Sequence, residues 1–319
     1  MPDPAGSGPP AGTNPLRGIG LKVLSVTVFT LMAVCIKAAA SDVPPGQAVF
    51  FRSTFAIPVI VLWLVVTGNL RFGLDTSNPM GHLWRGLVGT TAMGLGFTAL
   101  GLLPLPEVTA LGYAAPLLTV IFAAMFLGEQ VRIFRLTAVF IGLAGVSIVL
   151  APRLTLTGAE TVSKLEAIGA MAALLGAVFA ALAQVFVRKL VQTEQTAAIV
   201  FYFSLTAAIL SLATLPFGWV VPDLRQAGLL VGAGILGGVG QILLTESYRH
   251  AETSVIAPFE YVSMVLALGF GYVLFAEVPT GAMLGGAALI VAAGLFIIWR
   301  EQRLGLERGK ARRAITPQG

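Results

Sequence analysis

Between Arg17 and Trp299 the sequence is a succession of apolar runs, each close to 20 residues long and each closed by charge, proline or glycine. Run length constrains the fold more than any other feature. About 20 helical residues, rising 1.5 Å each, cross the ~30 Å hydrocarbon core of a bilayer. A chain in lipid must bond every backbone amide internally, so it spans either as helices or as a closed barrel. Barrel strands alternate apolar and polar residues over segments of about ten, and the sequence shows no such alternation. The runs predict ten helical spans, at 18–39, 46–68, 82–103, 107–127, 132–151, 166–187, 196–217, 226–247, 253–275 and 279–299. Composition agrees. Charged residues are 11% and apolar residues 56% of the 319, whereas soluble domains are roughly a quarter charged. So few charges cannot cover a soluble surface, and so much apolar content excludes disorder.

Ten spans return the chain to its starting side. With that side taken as cytoplasm, 15 of the 20 Lys and Arg residues fall there: Arg17, Lys22, Arg71, Arg85, Arg132, Arg135, Arg188, Lys189, Arg249 and six beyond Trp299. Lys37, Arg153, Lys164 and Arg225 fall outside, and Arg52 is left within a span. This matches the positive-inside bias at every loop except the one between spans five and six. The expected location is the cell inner (cytoplasmic) membrane, multi-pass, with both termini cytoplasmic. The same distribution accounts for the net charge of +5 without nucleic acid. Residues 1–16 hold five prolines and no Lys or Arg. They read as a disordered tail and lack the basic start of a signal peptide. Residues 300–319 read as a basic cytoplasmic tail beside lipid headgroups.

The sequence also repeats. At an offset of 151, spans one and two fall on six and seven: Lys37 meets Arg188, Phe50 meets Phe201 and Ser53 meets Ser204. At an offset of 148, spans three to five fall on eight to ten: Gly86 meets Gly234, Gly89 meets Gly237, Tyr113 meets Tyr261 and Glu129 meets Glu277. The expected fold class is an all-α integral membrane protein, ten transmembrane helices as two inverted five-helix repeats. Residues 17–151 form the first repeat, 152–165 an outer linker and 166–299 the second repeat. Five spans per repeat is odd, so the halves run in opposite directions. Inverted repeats of this kind build secondary transporters, in which two mirrored states of similar energy open to opposite sides.

Several stretches carry a family resemblance. They are Gln47-Ala-Val-Phe-Phe-Arg52, Leu127-Gly-Glu129, Ala257-Pro-Phe-Glu-Tyr261 and Phe275-Ala-Glu277-Val-Pro279. With them the chain resembles the drug/metabolite transporter superfamily, in its ten-span branch with two EamA repeats, over roughly residues 17 to 300. The resemblance implies a carrier of small organic metabolites, such as amino acids, nucleotide sugars, riboflavin-like vitamins or S-adenosylmethionine. The Ala-Pro-Phe-Glu-Tyr segment is similar to members handling flavin or S-adenosylmethionine-like cargo.

The scaffold repeats, but its polar groups do not. Arg52 maps to Phe203, Glu260 to Gly112, Gln241 to Met93 and Gln184 to Ala33. Architectural residues tend to recur in both halves, so these four are candidates for the cargo path. Arg52 lies about six residues into span two. It either orients an anionic cargo group or snorkels to the outer interface. Glu260 lies near mid-depth, just after Pro258, which removes a backbone bond and kinks the helix. It is either a cargo-binding carboxylate that titrates with a coupled proton or a helix-packing bond. An Arg52–Glu260 pair is one arrangement open to them, although their depths differ by about 9 Å. Tyr113, Tyr261, Tyr202 and Ser263 complete the candidate lining, the tyrosines to stack on a planar cargo. Glu129 and Glu277 close each half at a membrane face, as helix ends or gate contacts. The run Gly232–Gly240 lacks a phosphate-loop lysine and reads as close helix packing.

Other functions find little support. The single cysteine, Cys35, excludes disulfide and multi-cysteine metal sites. His82 and His250 sit at helix ends, and the four aspartates in tails or loops, so an intramembrane enzyme lacks its groups. No metal, catalytic residue or cofactor is expected. The reading is a secondary transporter of a small organic metabolite working by alternating access, with the lipid bilayer, the cargo and coupled protons as its partners. A lipid-carrier flippase or a multidrug exporter of the same superfamily is the alternative. Cargo, direction and oligomeric state stay open at this level.

Overall fold

The computed structural model describes residues 15–70, 73–127, 133–154, 162–190, 193–251 and 253–315. Among these the regular structure is helical, with no strand. Spans one to three are α1 (Pro15–Ala39), α2 (Pro45–Val66) and α3 (Pro79–Leu102). Span four is broken into α4 (Leu105–Gly112) and α5 (Ala114–Leu127), and α6 (Ile133–Leu154) is span five. Spans six to eight are α7 (Val162–Leu190), α8 (Thr196–Leu212) and α9 (Leu224–His250). Span nine is again broken, into a one-turn α10 (Thr253–Ile256), a 3₁₀ turn over Ala257–Tyr261 and α11 (Val262–Phe275). The last span is α12 (Gly281–Ile315), whose helix runs on through most of the expected basic tail. Most of the N-terminal segment, the middle of the linker, Glu129 and residues 316–319 lie outside the described residues.

Local chemistry explains the boundaries. Prolines open α2 at Pro45 and α3 at Pro79. A first-turn proline gives up an N–H that has no helical partner there. Asn78 caps α3 by accepting from the Gly81 N–H at 2.9 Å. Asp223 and Gln226 cap α9 reciprocally, at 2.7 and 2.9 Å, the two-way exchange of a capping box. The breaks in spans four and nine fall at equivalent places. Pro116 leaves the Gly112 carbonyl without its usual donor, and Pro258 does the same to the Ser254 carbonyl.

Among the described residues seven helices are long and apolar enough to cross a membrane, and α8 is a shorter apolar one. α3 has the length, 24 residues, but Arg85, His82 and its glycines lower its hydropathy. The outward surface is apolar: Phe140 is 71% and Val273 74% exposed. Buried positions include Ser25, Ser53, Arg52 and Ser204. Apolar outside and polar groups within is the arrangement for a solvent of lipid. The protein is a multi-pass membrane protein with two five-helix repeats.

The repeats interlock. α1 packs on α9, and its counterpart α7 packs on α3. α2 packs on α8 and α9, α3 on α8, and α6 on α12. These extensive contacts all join one repeat to the other. Small residues allow the close approach. Gly145 and Gly286 bring the α6 and α12 backbones together, so that a Cβ on Gly145 would lie 2.8 Å from the Gly286 carbonyl oxygen. In the glycine run of α9, Gly234 and Gly238 press on α2 and Gly240 on Phe29 of α1, while Gly232 faces open space. Helix packing is therefore the role of that run.

Candidate functional site

Where a residue touches its own repeat counterpart, both lie near the axis relating the repeats. For an inverted repeat that axis runs in the membrane plane at mid-depth. Two such ring contacts are found among the described residues. Tyr113 and Tyr261 meet edge to face, ring centroids 5.0 Å apart. Arg52 lies over the Phe203 ring, 5.6 Å from its centroid. These two contacts define the two halves of the candidate site.

The first half sits at the helix breaks. Tyr113 caps α4 at the break in span four, and Tyr261 ends the 3₁₀ turn in span nine. Ser263 donates its hydroxyl to the Glu260 carbonyl at 2.7 Å, so the Tyr113 hydroxyl donates to Ser263 Oγ at 2.5 Å. This chain ends on the Glu260 carbonyl of the 3₁₀ turn. Glu260 projects from the same turn and forms an ion pair with Lys22 of α1. The two side chains differ in access: Lys22 is 4% exposed and Glu260 46%. The carboxylate thus faces open space while its ammonium partner is enclosed. Gly294 of α12 completes the fit, since a Cβ there would fall on the Tyr261 hydroxyl.

The second half is cationic. Arg52, 3% exposed, and Arg85 of α3 both lie over Phe203, Arg85 at 3.7 Å from the ring centroid. Arg52 does not pair with Glu260; Lys22 takes that place. Lys22 and Arg85 therefore depart from the topological role expected of them. They begin within the first turns of their helices, and helix packing turns them into the bundle. Both would have passed the asymmetry filter, since Lys22 maps to Ala173 and Arg85 to Ala233.

The remaining candidates scatter. Gln184 is exposed, on the same face of α7 as the buried Ala173 and Ala177. Gln241 is half-buried on α9. Tyr202 belongs elsewhere: its hydroxyl donates to the Leu74 carbonyl at 3.0 Å and its ring packs on His82. It fastens the connection before α3. That connection is held by Glu194, which accepts from the Ser77 and Asn78 N–H groups, each at 2.9 Å, and lies 3.3 Å from His82 Nε2. On the opposite side Glu277 follows the end of span nine. It pairs with Lys37 at 2.9 Å and accepts from the Leu105 N–H at 2.8 Å, while Lys37 donates to the Leu103 carbonyl at 2.7 Å. One clamp ties spans one, three, four and nine. An apolar pocket of about 230 Å³ near Ile36, Ala48, Phe97 and Leu102 touches none of the charged groups. Among the described residues no cluster of His, Cys, Asp and Glu has the makings of a metal site.

Comparison with known proteins agrees with this architecture. The EamA-like transporter family matches residues 16–151 and 167–299. Relatives include the pseudopaline exporter of Pseudomonas aeruginosa, 31% identical over 86% of this chain and 94% of that protein. The S-adenosylmethionine uptake transporter of Rickettsia bellii is 27% identical over 90% of this chain and 94% of its own. A crystal structure 24% identical in sequence superposes with a TM-score of 0.64, covering 90% of this chain and 98% of the other. Matched twice along its length, the chain belongs to the EamA-like transporter family of the drug/metabolite transporter superfamily.

Proposed function

We propose that the protein is a secondary transporter that moves a small organic metabolite across the cytoplasmic membrane by alternating access, with both termini in the cytoplasm. The observation that carries the reading is the Lys22–Glu260 pair at the break in span nine. A half-open carboxylate beside a buried ammonium offers a zwitterionic cargo both of its complements. The cargo's ammonium replaces Lys22 at Glu260, and its carboxylate meets the freed lysine. Tyr113 and Tyr261 supply aromatic surface for a planar portion, and Gln184 and Gln241 supply adaptable polar contacts. An amino-acid-derived molecule of the S-adenosylmethionine kind meets these demands, and a flavin meets the aromatic ones. The relatives transport in opposite directions by name, one an exporter and one an uptake transporter, so the direction here follows from gradients.

The test is transport by purified protein in liposomes. A thermal-shift panel of S-adenosylmethionine, amino acids, nucleosides and flavins selects the compound that stabilises the protein. Labelled compound is then followed in counterflow. Trans-stimulation is expected, because a carrier must return its site. Glu260→Gln is expected to lower the initial rate at least tenfold at equal protein insertion. Full-rate transport by that variant would overturn the site.

A further inference from the structure

We infer that Arg52 and Arg85 form an anion-binding site, distinct from the Lys22–Glu260 pair, that receives an oxyanion group of the transported molecule. The inference rests on the transport reading for its purpose, but not for its geometry. In both guanidinium groups Nε and Nη1 are buried and have no hydrogen-bond partner among the described residues. A guanidinium is charged at neutral pH and carries five N–H donors in a planar fork. Burying such donors unpaired is among the costliest arrangements a fold can hold. Setting two side by side adds repulsion. Both lie on one ring, so their central carbons are no further apart than the two ring distances added together. The described ion pairs are Lys22–Glu260, Lys37–Glu277 and His82–Glu194, and none brings a carboxylate to either arginine. An arrangement this costly in the free protein is offset when a ligand supplies the missing negative charge.

Further unpartnered buried donors lie on the same three helices: the hydroxyls of Ser53 and Thr54 on α2, Thr90 on α3 and Ser204 on α8. Hydroxyls and guanidinium forks are the donors that acidic groups select. Two glycines make room for the arginine heads. A Cβ on Gly237 would lie 2.8 Å from Arg52 Nε, and one on Gly89 would collide with Arg85 Nη1. Gly89 and Gly237 are repeat counterparts, so the symmetric scaffold supplies two equivalent cradles for two arginines. The axis position also matters, because a site at mid-depth is equidistant from both membrane faces. It is separate from Glu260. Gly237 neighbours Met32 as well as Arg52, and Met32 is ten residues, about 15 Å, along α1 from Lys22. Snorkelling does not explain Arg52, whose side chain reaches inward to the middle of α8.

The probes are citrate and inorganic phosphate, added to the purified full-length protein in lipid nanodiscs, with triethyl citrate and matched sodium chloride as uncharged and ionic-strength controls. Melting temperature and calorimetric titration are the readouts. Saturable stabilisation is expected from citrate, phosphate or both, and none from the controls. Response to citrate alone identifies a carboxylate site, and response to phosphate identifies a phosphate site. Arg85→Gln is expected to weaken anion binding at least tenfold while raising the melting temperature of the anion-free protein, because an unpaired buried charge is gone. A purely structural arginine would instead lower it. Should Arg52→Gln fail to insert, Arg85→Gln and Gly89→Ala, which displaces the Arg85 head, carry the test. The inference is overturned if neither anion exceeds the salt control, or if Arg85→Gln responds as the wild type does. Glu260→Gln is expected to keep the anion response. Lost transport with anion binding retained, or the reverse, therefore separates failure of this site from failure of the transport reading.

Discussion

At the scale of single residues, Glu194 shows how a polar contact holds a connection outside the membrane spans. Burial pushes its carboxyl up, but hydrogen bonds from the Ser77 hydroxyl, His82, the Ser77 N–H and the Thr76 hydroxyl outweigh that push and hold it at about 2, from an ordinary 4.5. A folded value below the unfolded one means that the contribution to stability is fully present above the ordinary value. It is lost as pH falls through the window from 4.5 toward 2. The difference in melting temperature between wild type and Glu194→Gln should therefore be largest near neutrality and shrink across that window. A difference independent of pH would sink the assignment. Lys22 and Glu260 obey a related rule. Removing the Glu260 charge leaves the enclosed Lys22 ammonium to bear its desolvation cost, and Glu260→Gln still offers it a neutral carbonyl acceptor.

At the scale of elements, the breaks in spans four and nine set the candidate site, and turns at the helix ends hold the elements around it. α11 ends at Ala276, a non-glycine residue at φ +53°. The left-handed region costs an L-residue roughly 1–2 kcal/mol. The strained turn delivers Glu277 to Lys37 and to the Leu105 N–H. The first repeat has Gly128 at the equivalent position. Ala276→Gly is expected to stabilise the protein by about 0.5–1 kcal/mol, the steric relief exceeding the added chain entropy. The check is the melting temperature, and a decrease would show that alanine is already accommodated there. Helices α2 and α8 are followed by glycines with positive φ, Gly68 at +67° and Gly218 at +88°. Repeats that share a turn in this way share the requirement that created it.

At the scale of the whole molecule, the two repeats are one structural unit. Each of α1, α2, α3, α6 and α7 packs extensively against a helix of the other repeat, so half a chain would leave its small-residue faces and buried polar groups without partners. Expressed alone, residues 1–160 and 161–319 are expected to be unstable. Co-expressed, they should reassemble into a complex that survives purification through a tag on one half. Stable, separately folded halves would contradict the interlocked packing. In the proposed transport cycle, contacts between repeats are the ones that exchange when one repeat rocks against the other.

Much of this was legible along the chain. Hydropathy and run length determined ten spans, because the bilayer thickness acts on each segment separately. The offset self-match determined the repeats, and Pro258 foretold the break beside Glu260. Asymmetry between repeats singled out Arg52 and Glu260 as charges without a topological role. It did not reveal their partners. Lys22 lies 238 residues from Glu260, and its place near a helix start reads equally well as a topological charge. Arg85 reads the same way, and Tyr202 reads as a cavity residue although it binds a loop carbonyl. The sequence by itself determined which segments cross the membrane and where they bend. Only the tertiary structure decided which way each polar side chain turns, because that direction depends on how helices from opposite repeats pack, and hydropathy carries no record of it.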